Sequence, residues 1–234
     1  MYDICVIGAG PAGISSAVYA ASRGLKTIVL EQKKVGGLLG SVSTVTHYAG
    51  ILADETGESF SLRLKEQAER AGIEIAMEKV VEADLSGVVK RIVTEGTTYE
   101  AKAVIIAAGT TPRKLGIPGE DTFAGRGTGL NPAKDAKKYE GREAFVVGGA
   151  DGAVKEALFL SKFASKVTII HFEDTLGAIP EFTEKVKRTA NMEVRLHSRL
   201  SRIEGEGQAD RIVIEDEHTK EQEWIEAPGC AVYI

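Results

Sequence analysis

Gly8-Ala9-Gly10-Pro11-Ala12-Gly13 stands between a short apolar run, residues 3–7, and a stretch of small residues that runs from Pro11 to Ser22. No arrangement of this chain can ignore those glycines. A helix would lose stability at each of them, so the segment reads as strand, tight turn and helix rather than as one long apolar helix. A second run, "KTIVLE", closes on Glu31, eighteen residues past Gly13. Strand, Gly-x-Gly-x-x-Gly, helix, strand and acid form the full dinucleotide fingerprint in its required context. Gly8 permits the turn, Gly10 lets backbone approach a pyrophosphate, and Gly13 allows the helix to lie close on the strand. The helix N-terminus then offers unpaired N–H groups to phosphate, and Glu31 can accept hydrogen bonds from a ribose diol.

Other readings of the same N-terminal stretch are poorer. A secretory signal would carry a basic leading segment, whereas Asp3 precedes this run and Gly8, Gly10, Pro11 and Gly13 interrupt it. The sequence therefore predicts no membrane span. The 234 residues net −5, which supplies no basic stripe for a phosphate backbone and makes nucleic acid a poor partner. The two cysteines, Cys5 and Cys230, lie at opposite ends of the chain and form no CxxC, no disulfide framework and no metal site. That usage fits a reducing, cytoplasmic compartment.

Further along, Gly36-Gly37 gives a second place where backbone can touch a ligand, and an amphipathic helix after Thr56 stops at Gly72. Short alternating strands follow through "VVKRIVTEGTTYEAKAVIIAAG". Residues 110–132 are rich in Gly, Thr and Pro and read as the crossing between two domains, 1–114 and 115–234. The second domain repeats the first. A shift of 140 residues carries Gly8 onto Gly148, Gly10 onto Ala150, Gly13 onto Ala153 and Glu31 onto His171. The expected fold is α/β, two Rossmann-like three-layer domains.

"GAGPAG", the pair at 36, "IIAAGTTPRKLGIPGE" and "GRG" at 125 resemble the low-molecular-weight thioredoxin reductases of the pyridine nucleotide-disulfide oxidoreductase superfamily, over essentially the whole chain. The resemblance implies FAD on Gly8, Gly10, Pro11, Ala12, Gly13 and Glu31, with Gly36, Gly37, Ala108 and Gly109 lining the flavin or its ribityl chain. Leu38 stands where the family has glutamine. His47 stands at the family's flavin-facing asparagine, and is either a hydrogen-bond donor to the ring or a surface-loop histidine.

The resemblance also implies a redox dithiol and an NADPH site, and the sequence departs from both. Ungapped alignment puts Asn131 and Lys134 on the two cysteines and keeps the following acid as Asp135, which is either a flavin contact or a solvated charge. In the nicotinamide unit, built on Gly148, Ala150 and Asp151, the family's histidine is kept as His171. Its two following arginines read Phe172 and Glu173, and a third reads Gly177. Loss of those cations argues against NADPH, whereas Glu173 is either the acceptor for a 2'-hydroxyl, selecting NADH weakly, or a plain surface carboxylate.

The family continues past the equivalent of Ile234 with a return to the FAD domain, so the FAD half is expected to be incomplete as given. The functional expectation is a dithiol-independent flavoprotein oxidoreductase, dimeric by resemblance and lacking thioredoxin reductase activity. It would take electrons from NADH or from a small redox protein such as ferredoxin. The alternative is a non-catalytic nucleotide-binding or regulatory protein on the same fold.

Overall fold

The computed structural model describes residues 1–129, 132, 136–226 and 231–233. They divide into two compact units, Met1–Thr111 and Pro112–Ile234.

The first unit runs β1 (Tyr2–Ile7), α1 (Pro11–Ser22), β2 (Thr27–Leu30), α2 (Gly57–Arg70), β3 (Glu74–Ala76), β4 (Val80–Asp84), β5 (Lys90–Thr94) and β6 (Thr98–Ile106). Its sheet has the order β3-β2-β1-β6-β5-β4. The first four are parallel, and β5 and β4 add antiparallel at one edge. β1 is central, and Cys5 and Val6 are fully buried on its opposite faces, which is why it reads as a continuous apolar run. Pro11 starts α1, where its missing N–H costs nothing, and Ile14, Ala17 and Ala20 form the stripe that meets the sheet. Thr56 caps α2 through a reciprocal pair of bonds with Ser59; Phe60, Leu64 and Ala68 recur every fourth residue on its buried face. Gly72, at φ +65°, turns the chain out of that helix.

The second unit runs β7 (Thr128–Gly129), β8 (Glu143–Val147), α3 (Asp151–Leu160), β9 (Lys166–Ile170), α4 (Pro180–Arg188), β10 (Met192–Arg195), β11 (Ser198–Glu204), β12 (Arg211–Asp216), β13 (Gln222–Glu226) and β14 (Ala231–Tyr233). Its parallel sheet has the order β10-β9-β8-β14-β7, and β11-β12-β13 form an antiparallel meander. Three layers result. Ala144, Val146, Val167 and Ile169 face α3 and α4, while Phe145 and Ile170 face Leu200, Ile203, Ile212 and Ile214 of the meander. The alternation along β8 and β9 is the strand period of two, with both faces covered.

The order β3-β2-β1-β6 of the first unit matches β10-β9-β8-β14 of the second, each with its last strand following an antiparallel excursion, and β7 adds a further parallel edge to the second. The repeat visible in the sequence is therefore a repeat of topology. It extends to single bonds: Gly8 N–H donates to Leu30 O at 2.8 Å and Gly148 N–H to Ile170 O at 3.0 Å, while Ile14 N–H reaches Gly10 O and Val154 N–H reaches Ala150 O.

Candidate functional site: two nucleotide loops

The loop after β1 owes its shape to three glycines with three different reasons. Gly8 sits at φ +104°, and a Cβ there would lie 2.3 Å from Ala107 O. A Cβ on Gly13 would lie 1.8 Å from Gly8 O, so α1 can approach β1 only without a side chain at that point. Gly10 has an ordinary φ of −72°, and a Cβ there would meet nothing within 4 Å. That open space lies at the N-terminus of α1, which has no side-chain cap and no acid in its first turn. Uncapped N–H groups around Ala12 and Gly13, beside the space that Gly10 leaves without a side chain, are the environment a pyrophosphate needs.

The neighbouring segments close around this loop. Gly36 N–H donates to Ala9 O at 2.8 Å, and a Cβ on Gly37 would lie 3.6 Å from the Gly10 Cα. Gly36 itself lies against Ser61 of α2, so close that a Cβ would fall 2.0 Å from its Oγ. Ala107 and Ala108 pack on Gly8, and Gly109 follows in the left-handed region at φ +68° with open space beside it. Glu31 is buried just past β2. Its Oε2 accepts from Ala9 N–H and its Oε1 from Lys33 N–H, both at 2.8 Å. One carboxylate thus fastens the glycine loop to the strand end, and its remaining lone pairs are available to ribose hydroxyls. The structure brings together Gly8, Gly10, Pro11, Ala12, Gly13, Glu31, Gly36, Gly37, Ala108 and Gly109.

Leu38 and His47 belong to the connection between β2 and α2. Leu38 lies in a 3-10 turn, Gly37–Ser41, and is half exposed. His47 is exposed and stands at φ +57°, a region where asparagine is one of the few comfortable residues besides glycine. The family's asparagine at this position thus suits the backbone as well as the flavin. Asn131, Lys134 and Asp135 lie outside the described residues, as does Cys230. Cys5 is fully buried in β1, and burial pushes its thiol up to about 11.

The second loop departs from the first. Gly148 keeps the left-handed turn at φ +122°. Ala150 takes the place of Gly10 at the uncapped start of α3, and its methyl is exposed there. Asp151 puts an acid into the first turn, with Oδ1 held by Ile179 N–H at 2.8 Å. His171, at the place of Glu31, is buried with its ring against the loop: a Cβ on Gly149 would lie 2.6 Å from Cγ, Cδ2 and Nε2. Its Nε2 lies 3.2 Å from Glu173 Oε2, and its Nδ1 is out of solvent with no partner among the described residues.

One neighbour of this site escaped the sequence. Arg199, on β11, lays its guanidinium 4.1 Å from the centroid of the Phe172 ring and pairs through Nε with Glu217 Oε1. Nothing local in the sequence connects residues 172, 199 and 217; the meander brings them together.

Two glycine loops of this kind, each at the C-terminal edge of a parallel sheet, define a protein built of two dinucleotide-fold units. The comparisons carry this further. Residues 2–234 match the family described as pyridine nucleotide-disulphide oxidoreductase, and the chain belongs to that family. A protein named thioredoxin reductase from Peptoclostridium acidaminophilum is 41% identical over 216 residues, covering 92% of this chain and 69% of its own length. The "34.2 kDa protein in rubredoxin operon" of Clostridium pasteurianum is 35% identical over 233 residues, 99% of this chain and 75% of that one. Among solved structures, Lactococcus lactis thioredoxin reductase superposes with a TM-score of 0.94 at 31% identity, covering all of this chain and 77% of that chain. The chain is thus a thioredoxin-reductase-like member of an FAD oxidoreductase family. Among the described residues no helix is long and apolar enough to cross a membrane.

Proposed function

We propose that this chain is a flavin-dependent oxidoreductase that works without a redox dithiol, passing electrons from NADH or from a small redox protein such as ferredoxin to an acceptor other than thioredoxin. The observation that carries the reading is the open cradle at Gly10, walled by Gly37 and anchored by the Glu31–Ala9 bond, in a chain with no vicinal cysteine pair. Its residues fit FAD: Gly10, Pro11, Ala12 and Gly13 would take the pyrophosphate, Glu31 the adenosine ribose, and Gly36, Gly37, Ala108 and Gly109 the flavin side. Leu38 follows Gly37 directly, and His47 lies ten residues past Gly37 along the same connection. When bound, FAD supplies the ability to accept a hydride or single electrons and release them in either number. The protein's part is to hold the group and set its surroundings.

Reduction of thioredoxin needs two sulfurs that can exchange with a disulfide. Asn131 and Lys134 supply none, and Cys5, buried and held protonated, is no substitute. The nicotinamide unit retains the turn at Gly148 but sets Ala150 and Asp151 against the pyrophosphate, with His171 and Glu173 at the ribose. It therefore suits NADH over NADPH, with weak binding of both. Cysteine usage favours a reducing cytoplasm, and the family resemblance favours a homodimer.

Anaerobic mixing of the FAD-loaded protein with NADH, NADPH and reduced ferredoxin in turn tests the reading. Bleaching of the flavin by NADH at lower concentration than by NADPH, or by ferredoxin alone, supports it, together with no flavin-dependent turnover of thioredoxin. A protein that takes up no FAD, or that reduces thioredoxin after Cys5 and Cys230 are replaced, overturns it. A second reading has its own support in the acid and the methyl at the start of α3: a non-catalytic nucleotide-binding or regulatory protein, expected to bind FAD and stay oxidised with every donor.

A further inference from the structure

His171 has no carboxylate to offer a ribose, yet it is buried and held on several sides at the edge of the second sheet. Its backbone is held on both sides, N–H to Arg195 O and carbonyl from Ser198 N–H, each at 2.9 Å. Its ring is clamped by Gly149, whose missing side chain makes the room it occupies, and by the Phe172 ring at 5.1 Å between centroids. The side chain is 6% exposed. Glu173, by contrast, is 58% exposed and touches the buried ring through one oxygen, Oε2, at 3.2 Å from Nε2.

The proton on this ring can be assigned from the surroundings of its two nitrogens. A bare Nε2 lone pair facing a carboxylate oxygen would be repelled, so Nε2 carries the hydrogen and donates it to Glu173. An N–H at Nδ1 would be a buried donor with no acceptor, at a cost of about 1 to 3 kcal/mol, whereas an unpartnered lone pair there costs less. Both considerations select the Nε2–H tautomer. A flexible surface glutamate loses rotamer freedom when it is held in one geometry; here a ring that cannot turn already holds it.

We propose that His171 is a positioning residue for nucleotide choice: its Nε2–H fixes Glu173 at the end of β9, leaving Oε1 and the outer lone pairs to accept from the 2'-hydroxyl of an adenosine ribose and to repel a 2'-phosphate. The proposal rests on the reading of the second unit as a nicotinamide site. The work that Glu31 performs alone in the first unit is divided in the second. His171 packs on the glycine loop, and Glu173 faces the ligand.

The test uses the FAD-loaded protein and two probes that cannot transfer hydride, ADP-ribose and its 2'-phosphorylated form, titrated by calorimetry. Glu173→Gln should weaken ADP-ribose at least fivefold. His171→Ala should do the same while leaving the phosphorylated probe within twofold of wild type or tighter. His171→Gln, which restores a donor, should return ADP-ribose to within about twofold. The double variant His171→Ala/Glu173→Gln should be no weaker than Glu173→Gln alone, because the two act as one unit. Equal weakening of both probes by His171→Ala and His171→Gln, or additive effects in the double variant, overturns the positioning role and leaves the nicotinamide reading standing. Wild-type protein that binds neither probe overturns the nicotinamide reading and this inference with it, whereas a Glu173→Gln variant that binds ADP-ribose as wild type overturns this inference alone. Long-range proton–nitrogen NMR of the wild-type protein gives a separate check. An Nε2–H signature for His171 is expected, and an Nδ1–H tautomer overturns the proposal whatever the titrations show.

Discussion

The loops at Gly8 and Gly148 are built on the same plan and differ at the atoms that would face a nucleotide. Both make the bond from the first glycine to the end of the second strand, and both start a helix with no side-chain cap. In the first, the helix start is free of acids, the middle glycine looks onto open space, and a buried carboxylate holds the loop by a backbone N–H. In the second, the corresponding places hold Asp151, the Ala150 methyl and an imidazole packed on Gly149. The backbone bonds that make the turn are indifferent to those changes, whereas an anionic ligand is not. The turn is therefore kept across changes that an anionic ligand would feel, and the two units should respond differently to equivalent substitutions.

The largest contrast is expected at the helix–strand contact. Gly13→Val drives a side chain into Gly8 O, a backbone atom that cannot move aside, and should destabilise the first unit by about 3 kcal/mol or more. The matching Ala153→Gly only loosens α3, at about 1 kcal/mol. Urea unfolding followed by far-UV circular dichroism compares them; equal effects would mean that the two loops are not packed alike.

Ligand affinity comes next. Gly10→Val fills space that no protein atom uses, so it should cut FAD uptake at least a hundredfold while shifting the unfolding midpoint little. The opposite change in the second loop, Ala150→Gly, should strengthen NADH and NADPH by the same few-fold factor. Flavin absorbance after gel filtration reads the first and calorimetry the second. Retention of FAD by Gly10→Val would move the site away from this loop.

The charge contrast at the end of β9 should be reversible. Arginines at 172 and 173 would each give a charge-assisted contact worth about 1.5 to 3 kcal/mol to a 2'-phosphate. The double variant Phe172→Arg/Glu173→Arg should thus tighten NADPH at least tenfold and leave NADH no better. Arg199 sharpens this test, since its guanidinium already lies over Phe172 while its Nε is engaged by Glu217. If wild type prefers NADPH and Arg199→Ala removes the preference, the cation has moved to β11 instead of being lost.

The smallest effect concerns Cys5. Burial raises the folded-state pKa of its thiol to about 11, against an ordinary value of 9.0. The folded chain therefore holds the proton through the interval in which the unfolded chain releases it. This contribution to stability is complete below pH 9 and is lost as pH rises toward 11. Chemical unfolding at pH 8 and pH 10.5 should show the wild type losing more stability than Cys5→Ala. Rapid alkylation of Cys5 itself in the native protein at pH 8, located by peptide mass, would contradict the burial.

Much of this was legible from residues alone, for a physical reason. Glycines at turns, Pro11 at a helix start, and a helix that follows Thr56 and stops at Gly72 are set within a few residues, so their meaning survives being read in order. The repeat was also legible, because a shift of 140 residues aligns strands and glycines that perform the same local task. Tertiary structure alone decided what each position does once the chain has closed. Glu31 spends part of its carboxylate on Ala9 and Lys33, His171 is buried against Gly149 with Nε2 turned to Glu173, and Arg199 covers Phe172 from a strand that begins 26 residues later. The contacts with Ala9, Gly149 and Phe172 join separate elements and are set by sheet order and strand register, while those with Lys33 and Glu173 are local in sequence and take their geometry from the strand end. Side-chain identity says which bonds a residue can make, and only the packed sheet says which partner arrives within 3 Å of it.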